Sequence, residues 1–274
     1  MISRILRYGI LAVIGILWLL PIYLLLANAS KLTSEYSGLT LWSPGNLPAL
    51  LSNIVAVFTT TDVPTGLLTT FLYALVAPIV AVVLGAGVGY AVIALKLRNG
   101  FFWFFVVFCG TIFPLQMLII PLFAAYTQIG MFDTFVGMAI VYSVVSVPFS
   151  AFVMRNFFSG IAETVFEAAV VDGAGPFRIF TRIYLPMSRS ALVVVFILQA
   201  TWVWNDFLLA LVLTQSAETR PVMPLLQALQ AGAEGGGAPF TIMLTAGLLV
   251  SIPTGLLFMF AQRFFQKGLA LGQY

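Results

Sequence analysis

Six apolar stretches, near residues 8–29, 67–95, 101–125, 134–157, 190–213 and 241–264, are each long enough to cross a bilayer as a helix, which takes about 20 residues. Backbone polar groups in lipid must be satisfied within the segment, so runs of this length fold as helices. The composition agrees: of 274 residues 61% are hydrophobic and 8% charged, and the mean hydropathy is +1.09. No soluble domain of this size looks like that. The expectation is an all-α membrane protein with six transmembrane helices. The first stretch has a rival reading, because Arg4, Arg7, the apolar run and Ala27-Asn28-Ala29 resemble a secretory signal. A signal core runs about 7–15 residues, whereas this run is longer and holds Pro21, which favours a span.

Charge placement orients the spans. With the N-terminus inside, Arg4, Arg7, Lys96, Arg98, Arg155, Arg178, Arg182, Arg189, Arg263 and Lys267 fall on the cytoplasmic side, and only Lys31 and Arg220 fall outside. Ten against two follows the positive-inside rule, and both termini are then cytoplasmic. Of the two outer segments, residues 30–66 carry Trp42, Pro44, Pro48 and Pro64, with a short interfacial helix expected near 47–58. Residues 214–240 carry Pro221, Pro224 and Gly235-Gly236-Gly237, expected as a mobile tip. An external partner and plain connection both fit these loops.

The longest stretch unsuited to lipid is residues 167–186, EAAVVDGAGPFRIFTRIYLP, on the cytoplasmic side. It reads as two short helices around a turn. In the first, Glu163 and Glu167 share a face, with Val165, Ala169 and Val170 away from it. Two carboxylates at i,i+4 repel unless something positive meets them, so this helix reads as built for a partner. A solvated loop with ordinary charges is the competing account. Asp172-Gly173-Ala174-Gly175 is the break. Pro176 suits a first helical position. After it Phe177, Phe180 and Tyr184 make an apolar face, and Arg178 and Arg182 a basic one.

The pattern Glu167-Ala168-Ala169, Gly173 after three residues, and Ile183 and Leu185-Pro186 further on resembles the EAA loop of ABC importer membrane subunits, with every fixed position at the right spacing. Ser30-Lys31, Asp172-Gly173-Ala174 and the ending from Gln262 through Lys267 to Leu269 resemble the permeases of maltose-type and glycerol-phosphate-type importers. The extreme end, residues 270–274, departs from that pattern, and no contact with an ATPase is carried over to it. The resemblance implies a type I importer permease fold in which this loop is the cytoplasmic coupling helix. Glu163, Glu167, Ala168, Ala169, Asp172, Gly173, Ile183, Leu185 and Pro186 are then the coupling residues. Glu167 makes a polar contact with the ATPase, and Gly173 shapes the turn. It further implies a second homologous permease, two ATPase subunits that bind ATP and magnesium, an extracytoplasmic solute-binding protein, and a prokaryotic plasma membrane. The expected division is residues 1–65 as the first span and outer loop, 66–262 as the transport domain with its loop at 159–186, and 263–274 as a cytoplasmic end.

Within the spans Pro21, Pro78, Pro114, Pro121, Pro148 and Pro253 are expected to kink helices, as suits a protein that rearranges. Gly85, Gly87 and Gly89 sit inside a span, where close helix packing explains them better than phosphate binding. Asp206 is the main ionisable residue in a span and is placed in its outer part. It reads either as a polar contact near the outer mouth of a path or as a solvated acid in an interfacial belt. Gln116, Tyr142, Ser146, Gln199, Asn205 and Asp206 are the candidate path residues; Tyr73, Tyr90, Ser143 and Thr201 are weaker ones, since polar residues in spans usually bond to neighbouring helices. Such groups suit a sugar-like solute, or a polyol such as glycerol 3-phosphate, without naming one.

No energy-coupling chemistry is visible in the chain itself. None of Lys31, Lys96 and Lys267 follows a glycine, so there is no phosphate loop. There is no histidine and one cysteine, Cys109, so no disulfide, metal cluster or catalytic constellation is expected. A secondary carrier usually needs titratable groups inside its spans, which are scarce here. A channel or carrier working without an ATPase is the alternative, a membrane enzyme a remoter one, and nucleic acid is not an expected partner.

Overall fold

Long apolar runs fold as long helices, and glycine and proline decide where those runs break. The computed structural model describes residues 2–235 and 239–270, without the side chains of residues 2, 3, 5, 261 and 263–270. Every regular element among the described residues is helical. In chain order these are α1 (Ile2–Ala29), α2 (Leu47–Thr60), α3 (Val63–Ile93), α4 (Gly100–Cys109), α5 (Leu115–Gln128), α6 (Phe135–Phe158) and α7 (Glu163–Val171). There follow α8 (Pro176–Ile179), a π-helical turn (Phe180–Tyr184), α9 (Leu185–Met187), α10 (Arg189–Trp204), α11 (Leu208–Leu213), α12 (Val222–Glu234) and α13 (Phe240–Ala270). The expectations for Gly236 and Gly237, for the charges of Arg263 and Lys267, and for residues 271–274 fall outside the described residues.

Four stretches are long and apolar enough to cross a membrane: Leu6–Ala29, Val63–Ile93, Phe135–Phe158 and Phe240–Phe260. The pair Pro176–Met187 and Arg189–Trp204 passes the same test only when counted together across its 78° bend. Two expected spans are not single helices. Residues 101–125 divide into α4 and α5, of 10 and 14 residues. The cause lies at Pro114, which has no N–H to continue a helix and stands extended (ψ 122°) as the N-cap of α5. Pro114 therefore stands just before a helix instead of kinking one, whereas Pro21, Pro78, Pro121, Pro148 and Pro253 lie within helices. Residues 190–213 likewise divide into α10 and the six-residue α11. The expected interfacial helix is α2, capped by Asn46, whose Oδ1 accepts from the Ala49 amide at 2.8 Å. The outer segment at 214–240 is not all loop, since α12 takes up 13 of its residues.

The chain divides into two compact units, one of Met1–Leu67 with Val222–Pro253 and one of Leu68–Pro221 with Thr254–Tyr274. In the first, Val57, Val63, Val222, Ala246 and Val250 form an apolar core. A buried polar staple holds the loop after α1. Lys31, 2% exposed, donates to Asn28 Oδ1 at 2.8 Å and to the Thr40 carbonyl. Asn53 Nδ2 donates to the carbonyls of Ala29 and Lys31 at 2.9 and 2.8 Å. In the second unit a β-carbon on Gly85 would lie 2.7 Å from the Ala151 amide nitrogen, and one on Gly89 would lie 2.8 Å from that of Arg155. Gly85 and Gly89 therefore let α3 lie close against α6. Gly87 has open space on its side and takes no part in that packing.

Candidate functional site

Residues 163–187 fold as a helical hairpin whose shape follows from its glycines and proline. Helix α7 ends in a Schellman motif: the Gly173 amide donates to the Val170 carbonyl at 2.9 Å, and the Ala174 amide to that of Ala169 at 3.0 Å. Gly173 takes φ +76°, which glycine adopts without strain. Pro176 opens α8. The chain then passes through the π-helical turn and bends at Ser188, a buried residue whose hydroxyl donates to the Tyr184 carbonyl at 2.6 Å.

One side of the hairpin is anchored. Ala169, Ile179 and Tyr184 are buried with Tyr90, Met154 and Phe158, and Ile183, Leu185 and Phe180 pack around them. Tyr90 meets the rings of Phe180 and Tyr184 at 5.0 Å each. The other side is bare: Glu163, Glu167, Ala168, Asp172 and Gly173 are exposed, as are Val171 (86%) and Phe177 (78%). Pro186 is half-buried. One sequence assignment changes here: Phe177 does not share the inward face of Phe180 and Tyr184. Spacing put Phe177 one turn before Phe180; position at the mouth of the turn, next to Pro176, takes it outward. Glu163, though not Glu167, meets a positive charge within the chain, because Lys96 pairs with it. That hydrogen bond, opposed by burial and aided by the charges of Glu163 and Glu167, holds the Lys96 ammonium above its ordinary pKa.

The candidate path residues divide. Gln116 and Gln199 line a groove of about 460 Å³, together with Phe113, Phe149, Leu198 and Trp202 among others. None of the ten residues lining it is ionisable. The groove opens where the break between α4 and α5 leaves Gly110 and Thr111 outside regular helix. Tyr142, Ser146, Asn205 and Asp206 do not line it. Tyr142 is fully buried, and its hydroxyl donates to Asp206 Oδ2 at 2.9 Å. Asp206 is thus a bonded acid, not a solvated one. Asn205 Nδ2 donates to the Thr201 carbonyl at 2.8 Å. The Ser146 carbonyl accepts from Gln199 Nε2 at 3.2 Å and from the Ser150 hydroxyl at 2.8 Å, while its own buried hydroxyl has no partner. Ser143 and Thr201 bond their own helices, and Tyr73 bonds the Thr219 carbonyl. Among the described residues no group of three or more His, Cys, Asp or Glu side chains is gathered that would hold a metal.

A second polar cluster, absent from the sequence reading, lies between α5 and α6. Asp133, at φ +55°, accepts from the amides of Gln215 (2.7 Å) and Ser216 (3.0 Å) and from the hydroxyls of Ser216 and Thr219. Burial pushes its carboxyl up, but these donors outweigh it and hold the pKa below the usual carboxylate value. Only a contact across 82 residues reveals this, and no local pattern announces it.

Residues 81–271 match the family described as the binding-protein-dependent transport system inner membrane component. The chain belongs to that family. Within it, this inner membrane component is 30% identical to the osmoprotective compounds uptake permease protein of Synechocystis over 234 residues, 84% of this chain and 77% of that protein. It is 34% identical over 210 residues to a probable ABC transporter permease protein of Pyrococcus horikoshii, covering 75% of each. With the alpha-glucoside transport system permease protein of Rhizobium meliloti it shares 29% identity over 81% of this chain and 59% of that protein. Its fold is also that of a chain from a bacterial ABC transporter involved in the import of the acidic polysaccharide alginate. The TM-score is 0.76 at 23% identity, covering 96% of this chain and 97% of that one.

Proposed function

We propose that this inner membrane component is the non-catalytic permease subunit of an ATP-driven importer for a carbohydrate or a related polyol. It crosses the membrane six times, with the broken pairs α4–α5 and α10–α11 each serving as one span, and keeps both termini cytoplasmic. Residues 66–262 form the transport domain. It works with a second permease, two ATPases that bind ATP and magnesium, and an extracytoplasmic solute-binding protein. The hairpin of α7 and α8 is the coupling helix. Glu167, Ala168, Asp172, Val171 and Phe177 face the ATPase, and Ala169, Ile183, Leu185 and Pro186 tie the hairpin to the bundle. ATP binding moves the hairpin and the spans rock to open the path outward; hydrolysis resets them.

The observation that carries this reading is the two-sidedness of the hairpin, anchored inside by Ala169, Ile179 and Tyr184 and bare at Val171 and Phe177. Large apolar residues exposed beside charges mark a surface that another protein covers. For the solute, relatives named for osmoprotective compounds and alpha-glucosides support a polyhydroxylated cargo. The groove supports it too: aromatic faces and the amides of Gln116 and Gln199 suit apolar ring faces and hydroxyls.

The test is uptake into liposomes holding the whole importer, with binding protein loaded with a candidate disaccharide such as maltose or trehalose, or with glycerol 3-phosphate. Gly173→Leu, which forces a large side chain into φ +76°, should leave insertion and ATP hydrolysis intact and abolish uptake. Normal uptake in that variant, or uptake by this chain without ATPases, would overturn the reading.

A further inference from the structure

Several links connect the hairpin to the rest of its unit. Chain continuity gives two connections, from α6 through residues 159–162 into α7 and from α9 into α10, and the second bends by 78° at Ser188. Two other attachments leave from one place, the cytoplasmic end of α3. Tyr90 donates its hydroxyl to the Pro176 carbonyl at 2.8 Å, holding the first residue of α8. Lys96, just past the end of α3, pairs with Glu163, the first residue of α7. Both halves of the hairpin are therefore gripped from the same helix end.

Three features mark these grips as more than incidental contact. Tyr90 is buried, with its ring wedged against both Phe180 and Tyr184, so its position is fixed on two sides. Lys96 takes φ +46°, a left-handed conformation unfavourable for a lysine, and its side chain reaches Glu163 of α7. The two links flank an apolar seam in which Ala86 and Tyr90 of α3 pack with Ala169, Ile179 and Tyr184, and beside it a cleft of about 700 Å³ lies between Lys96 and Glu163 on one side and Phe166 and Tyr184 on the other. Polar links added at both ends of such a seam resist sliding that apolar packing alone permits. The same segment of α3 is locked to α6 through Gly85 and Gly89.

We propose that Tyr90 and Lys96 are positioning residues that make α3 and the hairpin one rigid body, so that a stroke delivered to α7 passes into α3 as well as into its chain neighbours α6 and α10. This rests on the hairpin being the ATPase dock.

The test uses the assembled importer with Cys109→Ser and spin labels at Gly87→Cys, where the side is open, and at Thr164→Cys on exposed α7. Distances are read by pulsed electron resonance with and without magnesium, ATP and vanadate. The parent should give one distance that nucleotide leaves in place. Tyr90→Phe keeps the ring and removes the hydroxyl; combined with Lys96→Gln it should make nucleotide shift and split that distance. A shift in the parent, or an unmoved distance in the double variant, would overturn the proposal. So would failure of Tyr90→Phe alone to assemble, since the contact would then serve folding. If the ATPases do not co-purify with the parent chain, it is the docking assignment itself that fails.

Discussion

The hydroxyl of Tyr142 donates to Asp206 at 2.9 Å, and the same carboxylate oxygen accepts the Ala210 amide at 3.0 Å. One acid thereby joins α6 to the start of α11 and supplies an acceptor to a helix whose first amides have no other partner. The residue that most resembled a solute contact is thus first a structural clasp, and Trp202, edge-on to Tyr142 at 6.0 Å, extends that clasp towards the groove.

Tyr142→Phe should therefore weaken the protein. Hydrogen bonds to charged groups contribute about 1.5–3 kcal/mol, and the phenylalanine ring keeps the packing. The expected outcome is a lower thermal midpoint in detergent, with insertion unchanged. An unaltered midpoint would show that Asp206 finds another donor.

The three glycines of α3 should behave unequally. Gly85→Ala and Gly89→Ala would press on the backbone of α6 and cost about 1–3 kcal/mol, as overpacking does. Gly87→Ala meets nothing within 4 Å and should stabilise by up to about 1 kcal/mol, because alanine is the better helix former. Melting of the three variants side by side decides it; equal effects would refute the α3–α6 contact.

Asp133 gives a pH dependence with a definite sign. Its pKa is depressed on folding, so its contribution is complete above the unfolded value of about 3.9 and is lost as pH falls through the folded one. Amide exchange should show residues 214–221 protected from neutral pH down to about 4 and loosened below it. Asp133→Ala, which strands the Gln215 and Ser216 amides, should be loose throughout. Matching profiles for the two proteins would rule out the clasp.

Lys31→Met should release the loop after α1. The substitution keeps an unbranched side chain but leaves Asn28 Oδ1 and the Thr40 carbonyl without their donor, and a buried unmet acceptor costs about 1–3 kcal/mol. Limited proteolysis of the protein in detergent should then cut within residues 32–46, where the parent resists. Equal resistance would mean the loop is held without Lys31, by bonds such as Asn28 Nδ2 to the Leu41 carbonyl and Tyr23 to the Trp42 carbonyl.

The chain's chemistry alone determined that it is helical and membrane-borne, because apolar runs of span length have no other stable state in lipid. It also determined the hairpin: a Schellman turn needs Gly173, and Pro176 suits only the first turn of the helix that follows, so both are written locally. Tertiary structure decided what each local feature faces. Phe177 and Phe180 share a spacing, yet one is bare and the other packed on Tyr90. Gly85 and Gly87 share a helix, yet only one touches α6. Asp133 and Thr219, or Lys96 and Glu163, are paired across 86 and 67 residues. Such pairings depend on how helices lie against one another, and periodicity within a helix carries no information about that.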